Sequence, residues 1–268
     1  MSYWQSKVAI VTGGSAGLGF AMADALGSCG VSVMLAARDE VRLQAAVDRL
    51  QQQGRRVAGC ATDVTDCEQV NALIARTINE FGKLDMLVNN VGRSARGRIL
   101  DTGPEEFRDL LELNFLSVVR CVQAAAPHLI ESRGHVVNIG SLASKSVSKY
   151  LGAYPATKFA IAAYSQQLRY ELNPQGVHVL LVCPGPIARP DTGQRYDAEA
   201  SDLPESARQP GGGVKLRGIL PQRLAAQILR DCERRRPELI IPGKARWLFA
   251  ISQLWPSVGD RIIGRMSG

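Results

Sequence analysis

None of the six cysteines (Cys29, Cys60, Cys67, Cys121, Cys183 and Cys232) forms a C-x-x-C pair, and most sit inside apolar runs. That spacing argues against a thiolate metal site or a disulfide framework, and for buried, reduced thiols in a cytoplasmic protein. The chain lacks any stretch of about 18 uninterrupted apolar residues, so no membrane span is expected. Its start, Met-Ser-Tyr-Trp-Gln-Ser-Lys, has neither the basic nor the long apolar region of a secretory leader, and none is expected. Internal repeats and low-complexity tracts are missing too. The net charge is only +7, and the one tight basic cluster, Arg234, Arg235 and Arg236, reads as a solvated helix end. Nucleic acid is therefore not an expected partner.

What is present is an ordinary globular composition, 46% hydrophobic and 21% charged over 268 residues. A chain of that length can bury a large core without covalent staples. Apolar, β-branched runs predict strands at 7–11, 31–36, 56–61, 84–89, 134–139, 177–183 and 239–241. Helical patterns fall between them at 17–29, 40–53, 68–81, 105–131, 152–172 and 221–236. Strands that are almost wholly apolar, alternating with helices, imply a parallel sheet covered on both faces. Right-handed crossovers then make a doubly wound, Rossmann-like α/β fold the natural topology.

Local chemistry places several boundaries. Thr102 with Glu105 predicts a capping box, and Pro104 suits a first helical turn. Gly54 and Gly82 predict left-handed C-caps, and Pro174 predicts a helix end. The irregular stretch from about 185 to 218, with Gly211, Gly212 and Gly213 in its middle, starts beyond a strand's carboxyl end. Open α/β sheets bind ligands there, so it reads as a substrate loop.

After the first strand comes Thr12-Gly13-Gly14-Ser15-Ala16-Gly17-Leu18-Gly19. Glycines let the backbone approach a pyrophosphate, and the following helix presents its positive end to the phosphates. The spacing matches neither a Walker loop nor the strict G-x-G-x-x-G fingerprint. After the second strand, where a carboxylate would hold the ribose hydroxyls of NAD, the chain reads Ala36-Ala37-Arg38-Asp39. Arg38 can grip a 2′-phosphate, which points to NADP (NADPH) rather than NAD. Asp39 is expected to cap the helix that starts at Glu40.

Tyr154 and Lys158 lie four apart on a predicted helix and so share a face. Ser141 ends the preceding strand, and Asn114 lies within the earlier long helix. With Asp63, Asn89-Asn90-Val91-Gly92 and Pro184-Gly185, and with the glycine loop before them, these residues resemble the short-chain dehydrogenase/reductase family in its single-domain form. The resemblance implies one domain over 1–268, with a sheet of about seven strands in the order 3-2-1-4-5-6-7. It implies catalytic roles for Asn114, Ser141, Tyr154 and Lys158. Tyr154 would be the acid/base, Ser141 would orient the substrate oxygen, Lys158 would hold the nicotinamide ribose, and Asn114 would anchor a water in a proton relay. It further implies a cofactor site formed by Gly13, Ser15, Gly17, Leu18, Gly19, Arg38, Asp63, Val64, Asn90, Gly92, Tyr154, Lys158, Pro184, Gly185 and Ile187, with Asp63 on the adenine. No metal is implied.

Elementary electrostatics fits the acid/base role. A free phenol titrates near 10, and lowering it by about three units takes roughly 4 kcal/mol. An ammonium about 4 Å away, at an effective dielectric near 20, supplies about that much. The expectation is therefore a tyrosine acidified by Lys158.

The chain departs from the family pattern in three places. Val91 stands where the family has alanine, which narrows the cofactor floor. Arg189 stands near a position often held by threonine, with Thr192 as a substitute. The apolar segment 244–268, rich in residues such as Trp247 and Trp255, replaces the usual ending. It is expected to cover the substrate pocket or pack on a partner subunit, ahead of lying on a membrane surface. A homodimer or homotetramer is implied, paired through the helices that carry Asn114 and Tyr154. The expected activity is NADP(H)-dependent interconversion of a ketone or aldehyde and an alcohol. The alternatives are a 3-oxoacyl-carrier-protein reductase, with Arg195, Arg208, Lys215 and Arg217 facing an acidic carrier, a lipid or steroid ketone reductase, and a non-catalytic NADPH-binding protein.

Overall fold

The computed structural model describes residues 3–189, 196–197, 199–209 and 217–266. Its centre is one sheet of seven parallel strands: β1 (Val8–Thr12), β2 (Ser32–Ala37), β3 (Val57–Ala61), β4 (Met86–Asn89), β5 (His135–Ile139), β6 (His178–Pro184) and β7 (Glu238–Ile241). They lie in the order β3-β2-β1-β4-β5-β6-β7, as the resemblance implies. Around them run α1 (Gly17–Ser28), α2 (Glu40–Gln52), α3 (Cys67–Phe81), α4 (Pro104–Leu111), α5 (Ser117–Glu131), α6 (Tyr154–Leu172), α7 (Glu205–Arg208), α8 (Pro221–Glu233), α9 (Ala245–Leu254) and α10 (Pro256–Met266).

Alternation along the strands explains the two covered faces. Val11, Leu35, Val88 and Val182 pack on one side against Met22 and Leu26 of α1, Leu50 of α2 and Ile228 of α8. Ile10, Met34, Leu87 and Val136 pack on the other against Leu73 of α3, Val122 and Leu129 of α5 and Leu168 of α6. A leucine buried so completely contributes about 1.5–3 kcal/mol. The helical run Pro104–Glu131 is, among the described residues, the one long and apolar enough to cross a membrane, yet Val118, Cys121, Val122, Ala125 and Leu129 at helical spacing bury it against the sheet.

Several boundaries follow the local chemistry. Asp39 caps α2 by accepting from the backbone N–H of Arg42 at 2.9 Å. Gly54 and Gly82 adopt φ of +76° and +83° after α2 and α3. Others correct it. The capping residue of α4 is Gly103, whose N–H donates to Glu106 Oε1 at 3.0 Å, while Thr102 Oγ1 turns back to the Arg98 carbonyl. The expected helix 105–131 is interrupted by a π-helical turn at Glu112–Leu116. The helix read from position 152 begins at Tyr154, because Gly152 is left-handed at φ +49°. The segment after β7 folds into two helices, α9 and α10, packed on each other.

At the end of the sheet opposite the strand carboxyl termini, two buried histidines form a directional chain. His178 Nε2 lies 2.7 Å from the Arg236 carbonyl, which can only accept, so this nitrogen carries the proton. A neutral His178 then accepts at Nδ1 from His135 Nδ1, 3.0 Å away, and His135 Nε2 accepts from the Tyr3 hydroxyl at 2.7 Å. Burial, with the Arg235 cation close to both, pushes His135 down to about 3 and His178 to about 4. Both values lie below the unfolded value near 6.5, so the unfolded chain binds more protons at acid pH. Stability is thus full above about pH 6.5 and is lost as pH falls below it. Chemical-denaturant midpoints at about pH 7 and 4.5 check this; equal midpoints would disprove it.

Candidate active site

The carboxyl ends of the strands carry the site. After β1 the chain turns at Gly13 (φ +63°) and Gly17 (φ +55°), conformations that suit glycine. A Cβ on Gly19 would sit 2.1 Å from the Gly13 carbonyl oxygen, so only glycine lets α1 start this close to the turn. A Cβ at Gly17 would meet nothing, because that face of the loop opens outward. No side chain caps α1, whose first turn opens beside the loop. Asn90 clamps the turn from β4: its Nδ2 donates to the carbonyls of Thr12 (3.0 Å) and Gly13 (3.3 Å), and its own N–H donates to Thr12 Oγ1 (3.0 Å). Val91 packs beside it, its Cγ2 3.3 Å from where a Gly13 Cβ would be.

Arg38 leaves the end of β2 largely exposed, with Nη1 3.8 Å from Asp63 Oδ2. Asp63 also accepts from the N–H and Oγ1 of Thr65, and these bonds outweigh its partial burial and hold it below the usual carboxylate range. Val64 turns its side chain into the core, so only its backbone faces the loop side. Together the uncapped helix start, the open Gly17 and the cation at Arg38 form a cradle that fits a dinucleotide.

The catalytic candidates gather beside this cradle. Ser141 caps a short 3-10 turn, its Oγ accepting from the Ala143 N–H at 3.1 Å. The same hydroxyl is hydrogen-bonded to Tyr154. Lys158 is buried and donates to the Ile139 carbonyl at 2.9 Å, with Nζ 5.8 Å from the Tyr154 ring centroid. Asn114 does not reach the cavity surface. It sits fully buried in the π-helical turn, accepting from the Arg93 N–H at 2.9 Å and donating to the Arg93 carbonyl (2.9 Å) and Thr157 Oγ1 (3.0 Å). Thr157 in turn bonds the Tyr154 carbonyl at 2.8 Å, so Asn114 ties the Gly92–Arg93 wall to the first turn of α6. A single π turn re-aims one side chain within a helix, a device often found at functional sites. Asn89, Asn138 and Ser165 add a buried chain, each bond 2.9 Å, that locks β4 and β5 to α6.

The protonation states differ from the expectation of an acidified phenol. Burial pushes Tyr154 up to about 12, opposed by the Ser141 hydrogen bond and the charge of Arg96, while burial brings Lys158 down to about 8. Desolvation penalises the ionised form of each group, and Lys158 directs its proton at a carbonyl rather than at the phenol. In the folded chain Tyr154 therefore holds its proton firmly.

Ser141, Tyr154 and Lys158 line a cavity of about 470 Å³. Leu18, Asn90, Gly92, Ser141, Tyr154, Lys158, Pro184, Gly185 and Ile187 all border it, whereas Gly13, Ser15, Gly17, Gly19, Arg38, Asp63 and Val64 lie in the adjoining cradle. Arg189 borders it too, and Thr192 lies outside the described residues. Of the basic loop residues, Arg195 and Lys215 also lie outside them. The expected substrate loop contributes Tyr196 and carries α7, and its ends meet in a bridge between Ile187 and Ile219. Leu248 and Phe249 of α9 and Ile263 of α10 close the cavity, so the C-terminal segment covers the pocket. Covering the pocket is one of the roles expected of the 244–268 segment, whereas Arg96 had no role readable from sequence.

Comparisons place this geometry in a family. Residues 7–200 match the short chain dehydrogenase family. An uncharacterized oxidoreductase of Staphylococcus saprophyticus is 34% identical over 210 residues, covering 76% of this chain and 90% of that protein. A diacetyl reductase ((S)-acetoin forming) of Staphylococcus epidermidis is 32% identical over 203 residues, covering 75% and 79%. A crystal structure of a short chain dehydrogenase/reductase from Burkholderia phymatum in complex with NAD superposes with a TM-score of 0.81 at 25% identity, covering 95% of this chain and 96% of that one. The glycine cradle, the Ser141–Tyr154–Lys158 cluster and these likenesses agree: the chain belongs to the short-chain dehydrogenase/reductase family of oxidoreductases.

Proposed function

We propose that the protein is an NADPH-dependent reductase of neutral ketones or aldehydes with an apolar body. The observation that carries this reading is the convergence of Ser141 and a fully protonated Tyr154 on one largely apolar cavity beside the dinucleotide cradle.

Gly13, Ser15, Gly17, Leu18 and Gly19 would hold the pyrophosphate side of NADPH, Arg38 the 2′-phosphate, Asp63 and Val64 the adenine, and Asn90, Gly92, Lys158, Pro184, Gly185 and Ile187 the nicotinamide end. When bound, NADPH supplies the hydride. Ser141 donates a hydrogen bond to the carbonyl oxygen as negative charge develops there, and Tyr154 gives that oxygen its proton. Carbonyl, NADPH and a proton thus yield alcohol and NADP⁺. Lys158 places a positive charge beneath the site, and Asn114 holds the Arg93 wall and α6 in register.

The diacetyl reductase relative supports a carbonyl as the reacting group. The cavity lining by Leu142, Val147, Leu151, Leu248, Phe249 and Ile263 supports an apolar substrate body. Six free thiols support a cytoplasmic location. Leu116 and Phe159, exposed near and on the helices that carry Asn114 and Tyr154, support a homo-oligomer paired there.

The test follows NADPH absorbance against a panel of neutral ketones, sugars, steroids and acyl thioesters. Turnover of neutral carbonyls supports the proposal; activity confined to acyl thioesters, or none at all, overturns it. The cradle has its own test. Gly19→Ala drives a methyl group into the Gly13 carbonyl and is expected to weaken NADPH binding about 100-fold, equivalent to about 3 kcal/mol of misfit. Fluorescence titration of NADPH reads the change, and an unaltered Kd would mean that the loop does not hold the dinucleotide.

A further inference from the structure

Arg96 is almost wholly buried (6% exposed), in a stretch with no periodic or motif signal. Burying a guanidinium costs several kcal/mol unless its donors find partners. Here they do, and the partners come from two parts of the chain. Nε donates to the Ala207 carbonyl at 2.6 Å, Nη1 to Ser94 Oγ and the Ala95 carbonyl at 2.8 Å each, and Nη2 to the Gln209 carbonyl at 3.2 Å. The backbone N–H of Arg96 donates to Glu199 Oε2 at 3.0 Å, which also brings a compensating negative charge near. The guanidinium carbon lies over the Tyr196 ring, 3.6 Å from its centroid. Both Arg96 and Tyr196 border the cavity that holds Tyr154.

We propose that Arg96 is a positioning residue: it fixes the Tyr196–Gln209 segment against the Ser94–Arg96 wall, so that Tyr196 forms one side of the substrate pocket. Three features select arginine for this. The fork reaches carbonyls on both segments at once, its plane stacks on an aromatic ring, and it stays charged when buried. A lysine ammonium offers a point charge without a plane. Because four of its five N–H donors are committed to protein oxygens, Arg96 is spent on positioning rather than on receiving a substrate carboxylate. Tyr196 then stands against the apolar body of a carbonyl substrate. This inference rests on the carbonyl-reductase reading of the cavity.

The experiment compares the full-length protein with Arg96→Met, Arg96→Lys and Tyr196→Leu. The substrates are a neutral ketone and a 2-oxo acid of the same carbon skeleton. Both Arg96 variants are expected to raise KM for the neutral ketone about tenfold, with kcat within about twofold and NADPH affinity unchanged. The lysine variant is expected to rescue little, and kcat/KM for the 2-oxo acid to fall by the same factor. A loss confined to the acid would make Arg96 a substrate receptor and overturn the proposal, as would an unchanged KM. Equal losses in KM, kcat and NADPH affinity would mark a merely structural residue and overturn it too.

Limited trypsin digestion supplies an arm independent of turnover. Cleavage after Arg208 is expected to accelerate about tenfold in Arg96→Met while the thermal midpoint stays within a few degrees. Should no carbonyl be reduced even by the native chain, the functional reading fails and this arm still decides the role of Arg96: unchanged cleavage would refute it. If Arg96→Met does not fold, Tyr196→Leu, which keeps the bonds from Arg96 to the Ala207 and Gln209 carbonyls, carries the KM test in its place.

Discussion

Tyr154→Phe is expected to lower kcat/KM for NADPH-dependent carbonyl reduction by about 10²- to 10⁴-fold, the range that general acid catalysis contributes. The substitution keeps the ring in its place at the start of α6 and removes one oxygen. Ser141 loses its partner but keeps the bond from the Ala143 N–H, so the short turn it caps survives. NADPH binding should stay within about twofold, because Lys158 is anchored to the Ile139 carbonyl and not to the phenol. Steady-state kinetics with a binding titration checks both parts. Turnover close to that of the native chain would remove Tyr154 as the proton donor.

Arg38→Asp is expected to cost NADPH at least about 100-fold in kcat/KM while NADH use holds or rises. A hydrogen bond between two charged groups contributes about 1.5–3 kcal/mol, and a carboxylate in its place adds repulsion against the 2′-phosphate. Little stability goes with it. The Arg38–Asp63 pair is mostly in water at 3.8 Å, the kind of contact worth under about 1 kcal/mol. Removing that pair also leaves Asp63 held by Thr65. Comparing NADPH and NADH in the native chain and the variant decides the matter. Equal efficiency with both dinucleotides in the native chain would remove Arg38 as the selector. The structural relative from Burkholderia phymatum was solved with NAD.

Expectation and structure agree at several features set by near neighbours in sequence. Alternating apolar strands and helices, the glycine turn, the Asp39 cap and the i,i+4 pair of Tyr154 and Lys158 are of this kind. They part at the cap of α4, where Gly103 with Glu106 replaces Thr102 with Glu105. There the two registers differ by one residue, and tertiary packing chose between them. The π turn at Glu112–Leu116 follows the same logic. One extra residue in a helix has no signature in periodicity, and the gain is two bonds from Asn114 to the Arg93 backbone.

The electrostatics of the site lay further out of reach. The four-residue spacing places Lys158 beside Tyr154, but spacing says nothing of burial, and burial is what drives the phenol up to about 12 and the ammonium down to about 8. Arg96 is the clearest case. Its partners at Glu199, Ala207 and Gln209 lie more than a hundred positions away, so no local pattern could announce them.

By itself, then, the sequence determined the order of strands and helices, the glycine turn, the cation at Arg38 and the shared helix face of Tyr154 and Lys158, while the family resemblance supplied Ser141 and Asn114 as candidates. The former depend on periodicity, turn chemistry or short spacing, which act between near neighbours. Tertiary structure alone decided how α9 and α10 roof the cavity, where Tyr196 stands, what holds Arg96 and which groups keep their protons. Those outcomes depend on desolvation and on contacts between distant segments, and both exist only once the chain has folded.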